Sequence, residues 1–122
     1  MYDQAYSALI EDLSQRGLLG DTLVANLAEF GRTPKVNPAG GRDHWPKVSC
    51  CLMSGGGLRH GQVIGSTTRF AEEAADRPVD YKDVFATLYH AVGLDVTSVP
   101  IPDQTGRPTY LLDGHEPLPE MV

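Results

Sequence analysis

Between Phe30 and Lys47 the chain places Pro34, Pro38, Gly40, Gly41 and Pro46, and no long regular element survives breakers at that spacing. Apolar runs flank the stretch on both sides, Thr22 to Ala28 before it and Val48 to Met53 after it. Each is too short and too evenly apolar for a one-sided helix, so each reads as a buried strand, the first covered on both faces. A long loop inside a compact domain is uncommon unless it is functional or disordered. This one gathers Glu29, Arg32, Arg42, Asp43 and His44, and a strand ending in such a loop is how a sheet delivers chemistry to its edge.

The rest of the chain frames these strands. Tyr2, Ala5, Tyr6, Leu9, Ile10 and Leu13 recur at three- and four-residue spacing and predict an amphipathic helix up to Arg16, closed by Gly17. Ser54 to Gly57 ends the second strand, and its three glycines read as a tight turn in the absence of a following Lys-Ser or Lys-Thr. His60 to Gly65 reads as a short edge strand, and Ser66 to Pro78 as an exposed acidic excursion. Asp80 caps a second helix with Asp83 in its first turn, Val84, Leu88, Ala91 and Val92 on its apolar stripe, and Gly93 at its end. From residue 97 to 122 the chain is proline-rich and reads as a tail wrapped over a surface.

At 122 residues this is one domain, and the expected class is α/β, although two helices are too few crossovers for a complete parallel sheet. A net charge of −6 excludes a broad electrostatic footprint for nucleic acid. No run reaches the roughly 18 to 20 apolar residues of a membrane span, and Met1 to Gln4 does not begin a signal peptide. Cys50 and Cys51 are adjacent, cannot readily pair with each other, and read as two small buried hydrophobes.

The donors in the loop define the available chemistry. Glu29 at a strand end suits a metal ion or general-base work. Asp43 and His44 form an adjacent oxygen and nitrogen pair suited to zinc, manganese or iron. Arg32 and Arg42 offer planar forks that match sulfate or phosphate, or else pair with Glu29 or Asp43 to fix the loop; for Arg42 the fixing role is favoured. Trp45 either closes a pocket or packs beneath it. His60, His90 and His115 have no comparable company in the sequence.

Taken in order, Glu29-Phe30-Gly31-Arg32-Thr33-Pro34, Gly41-Arg42-Asp43-His44-Trp45, Gly55-Gly56-Gly57, Gly61-Gln62-Val63-Ile64-Gly65, Asp83 to Leu88 and Gly106-Arg107-Pro108 resemble the C-terminal part of the sulfatase-like domain-of-unknown-function family 1501, placed in the alkaline-phosphatase-like superfamily. The resemblance implies a partial doubly wound sheet of the alkaline-phosphatase/sulfatase type, with residues 1–122 as the C-terminal portion of a larger domain. It implies a metal-dependent hydrolase of sulfate or phosphate esters, inactive as this segment alone, with zinc, manganese or calcium as cofactor. Glu29, Asp43 and His44 would then be metal ligands, Arg32 would bind the anion, and a longer parent would be exported. The alternative is a non-catalytic domain that binds sulfated or phosphorylated glycans through Arg32 and Arg42. One departure stands out: Thr67-Thr68 occupies the place where the family usually shows Thr-Asp.

Overall fold

A computed structural model describes residues 1–122. It contains α1 (Tyr2–Gln15), β1 (Leu23–Asn26), β2 (Gly31–Arg32), β3 (His44–Trp45), β4 (Leu52–Gly55), β5 (Ser66–Thr67), β6 (Ala74–Asp76), α2 (Tyr81–Ala91), β7 (Ile101–Pro102) and β8 (Pro108–Thr109). The chain is thus a small α/β structure, and its strands form four separate two-stranded antiparallel pairs: β1 with β4, β2 with β3, β5 with β6, and β7 with β8. No doubly wound sheet is assembled from them.

The central pair is β1–β4, in register Leu23 to Gly55 through Asn26 to Leu52. Successive strand residues face opposite sides. Leu23 and Met53 pack on the cluster of Leu58, Leu118 and Met121, together with Ile64, Val79 and Ala91 of α2. Ser54 turns the other way and shares a 2.9 Å hydrogen bond with the Tyr6 hydroxyl of α1. One side of the ladder thus shares the Leu58 cluster with Ala91 of α2, and the other meets α1 through Tyr6. Gly55, buried at φ +83°, has no alternative at its position: a Cβ there would lie 2.0 Å from the Thr22 carbonyl oxygen.

Several expectations need correction. The first strand spans Leu23–Asn26 and is half-buried at Leu23 and Val24 but exposed at Ala25 and Asn26, because a two-stranded ladder leaves its outer end uncovered. The second begins at Leu52 rather than Val48, and Cys50 and Cys51 are exposed free thiols. His60 to Gly65 forms no strand; Gly61 and Gly65 both adopt positive φ, and Val63 is fully in solvent. On α2 the buried residues are Val84, Ala86 and Thr87, while Val92 is exposed. The proline-rich end divides in two. Residues 97–111 are an exposed segment around β7–β8, whereas Leu112, Leu118 and Met121 enter the core.

Other readings hold. Gly17 at φ +71° follows α1, Gly93 at φ +76° follows α2, and Asp80 caps α2 by accepting from the Lys82 amide at 2.8 Å. Asp83 completes a capping box by accepting from the Asp80 amide.

Burial is sparse, with only eight of 122 residues buried and none of them on α1. The accessible surface is 8828 Å². A compact monomer of 13.2 kDa is expected to expose about 6,400 Å². Large apolar side chains are exposed, including Tyr2, Leu9, Leu18 and Leu52 around α1 and the central ladder. No helix is long and apolar enough to cross a membrane.

Candidate functional site

The loop singled out by its proline and glycine content folds into the β2–β3 hairpin, with Gly31 opposite Trp45 and Arg32 opposite His44. Gly31 is required because a Cβ there would stand 1.9 Å from the Val48 carbonyl oxygen. Two backbone-directed side chains close the loop. Arg42 donates from Nη1 to the carbonyls of Thr33 and Pro34, each at 2.6 Å. Asn37 accepts from the amides of Ala39 and Gly41 through Oδ1 and donates from Nδ2 to Asp43 Oδ1 at 3.0 Å. Arg42 thus fixes the loop, as favoured from the sequence, but through carbonyl oxygens rather than through an acid.

Alternation along the hairpin sorts the candidate residues onto two faces. On one face His44 stacks on Phe30, with ring centroids 3.8 Å apart, and the Arg32 guanidinium lies 5.6 Å from the same ring. Arg32 makes only a 3.5 Å contact from Nη1 to the Arg42 carbonyl, so most of its donors face solvent. On the other face Asp43 and Trp45 border a cavity of about 360 Å³ with Thr33, Asn37 and Glu72. Trp45 anchors that wall by donating from Nε1 to the Glu72 carbonyl at 2.9 Å. Nearby, Lys47 pairs with Glu73, and this hydrogen bond holds the Glu73 carboxyl below its ordinary range.

The structure therefore brings Arg32 and His44 together and separates both from Asp43. Glu29 is exposed at the entry to the hairpin. No three His, Cys, Asp or Glu side chains are grouped to hold a metal ion. The donor chemistry of Glu29, Asp43 and His44 suits a divalent metal, but their arrangement does not make a ligand set.

Sequence reasoning missed a second polar centre. His115 Nδ1 lies 2.8 Å from Asp83 Oδ1, both side chains being largely shielded from solvent, at the first turn of α2. The Asp83 carboxyl is held below the ordinary range, first by this hydrogen bond. Beside it, Thr87 Oγ1 accepts from the Leu118 amide at 2.8 Å, and Arg77 grips Glu120 at 2.7 and 3.0 Å. Asp83 was recognised as a first-turn acid, but its partner lies 32 residues away, and no local pattern reports such a separation.

Residues 1–122 match the family described as "Protein of unknown function (DUF1501)", and the chain belongs to that family. No curated protein and no solved structure matches it.

Proposed function

Proceeding from that membership, we propose that this chain is the C-terminal portion of a metal-dependent sulfatase- or phosphatase-like hydrolase, with Arg32 as its anion-binding group. The observation that carries the reading is the face of the β2–β3 hairpin on which Arg32 and His44 sit as a cross-strand pair around Phe30. An exposed guanidinium with free donors matches a sulfate or phosphate oxygen pair. The adjacent imidazole offers one nitrogen donor, and the Phe30 ring restricts its orientation.

The finer fold assignment, a part of a doubly wound sheet, is supported by the surface excess, which is what a segment of a larger α/β layer would show. A divalent metal, when bound, supplies Lewis-acid polarisation of an ester oxygen. Because Asp43 and His44 face opposite ways, this chain offers His44 or Asp43 to such an ion, with Glu29 at the hairpin entry, and the remaining donors come from outside these residues. What the chain itself does is orient the ester anion through Arg32, beside the His44 ring stacked on Phe30.

The test is hydrolysis of p-nitrophenyl sulfate and p-nitrophenyl phosphate, with zinc, manganese or calcium, by the longer polypeptide that contains this segment. Arg32→Ala is expected to lower turnover about a hundredfold, as loss of an anion-stabilising donor does. Full activity of both Arg32→Ala and His44→Ala would remove the reading. The separation of Asp43 from His44 favours the second reading, a non-catalytic binder of sulfated or phosphorylated glycans. Binding of a heparin oligosaccharide that survives chelation and disappears at high salt, without ester hydrolysis, is its signature.

A further inference from the structure

Cys50 and Cys51 are adjacent free thiols, both exposed, and neither lies in a helix or strand. The alternation that sends neighbouring strand residues to opposite faces therefore does not apply to them. Their segment is held at both ends. Before it, Ser49 Oγ donates to the Ala28 carbonyl at 3.0 Å, and after it Leu52 opens β4 opposite Asn26. Burial pushes the Cys51 thiol up, and the neighbouring Cys50 adds to the rise, so the two sulfurs lie within electrostatic reach of each other. A direct bond between them is strained, because consecutive Cα atoms stand about 3.8 Å apart, below the roughly 4.4 Å at which disulfides ordinarily begin. A bridging atom between the sulfurs relieves that constraint.

We propose that Cys50 and Cys51 form a dithiol site for trivalent arsenicals, dihydroxyarsines that carry one organic group. Both thiols condense with one arsenic centre. Two As–O bonds and two S–H bonds break, two As–S bonds form, and each thiol proton leaves with a hydroxide as water. Arsenic stays trivalent, so the step needs neither oxidant nor reductant. The donor set selects this class. A structural zinc ion asks for about four protein ligands, and no three His, Cys, Asp or Glu side chains are grouped to hold a metal ion. An arsenical brings its third ligand with it and needs only two soft sulfurs from the protein.

The experiment reduces the full chain with a phosphine, removes the reductant, and titrates with phenylarsine oxide while following intact mass and free thiols. One phenylarsenic group per chain is expected, with both thiols lost to titration and recovered on adding 2,3-dimercaptopropanol. Cys50→Ser and Cys51→Ser are each expected to weaken binding about a hundredfold, because the second sulfur closes its bond within the same molecule. Both positions are exposed, so the variants keep the fold, which circular dichroism checks. Failure to form the adduct overturns the proposal, as does unchanged affinity in either variant or uptake of two arsenic groups per chain. Tighter binding by the urea-unfolded chain than by the folded one also overturns it, since that result means the fold holds the sulfurs apart.

Discussion

The α2 clasp and the β2–β3 hairpin are built from similar residue types and end in opposite states. In the clasp, polar groups are spent on structure: Asp83 on His115 and the Asp80 amide, Thr87 on the Leu118 amide, Arg77 on Glu120. They surround six buried apolar residues spread between Leu58 and Met121. In the hairpin, Arg42 and Asn37 shape the backbone, and Arg32 and His44 are left facing solvent. Burial explains the difference. A polar group taken from water must find a partner, whereas one on a two-residue strand pair need not.

The largest effect expected from breaking this contrast is at Leu118, which is 4% exposed. Leu118→Ala should lower stability by about 2–4 kcal/mol in urea unfolding, because the small core has little capacity to refill the void. Thr87→Val is next. It strands the Leu118 amide without a partner, at about 1–3 kcal/mol, with helix content of the folded chain unchanged by circular dichroism.

Acid probes the clasp more gently. Asp83 is held below its ordinary range first by the His115 hydrogen bond, and Glu120 first by the Arg77 hydrogen bond. A carboxyl depressed in the folded state contributes stability that is present above its unfolded pKa and is lost as pH falls through the folded value. Stability should therefore be flat near neutrality and decline below about pH 4, where these carboxyls begin to bind protons in the unfolded chain. Asp83→Asn should flatten part of that decline. A decline of unchanged size in Asp83→Asn would place the acid sensitivity elsewhere.

The smallest stability effects belong to the hairpin. Arg32→Ala and His44→Ala should each change unfolding free energy by no more than about 0.5 kcal/mol, as exposed substitutions do. If either one destabilises as strongly as Thr87→Val, the hairpin is structural and the contrast fails.

What was legible in the sequence follows the same division. The two helices and their caps were readable because capping and amphipathic spacing act over a few residues, from Tyr2 to Gly17 and from Asp80 to Gly93. Gly55 and Gly31 were visible as turn or loop glycines, but their cause, the close approach of the Thr22 and Val48 carbonyls, was not. The candidate loop was found from its breakers and charges. The opposite facing of Asp43 and His44 became evident only with the register of Arg32 against His44. The antiparallel pairing of β1 with β4 was not legible, since apolar runs do not state whether a ladder is parallel. The role of residues 112–121 was missed because three core side chains among prolines leave no periodic trace.

One further consequence concerns the order of events in folding. The core joins Leu58 to Leu118 and Met121, and the Arg59 amide donates to the Met121 carbonyl at 2.8 Å. Closing that contact means closing a loop of about 60 residues, an entropic cost met before any burial rewards it. The helices and the short hairpins need only local contacts, so the step expected to set the folding rate is the arrival of the last ten residues at Leu58. Kinetically, the proline-rich end is the latch that decides when this chain has folded.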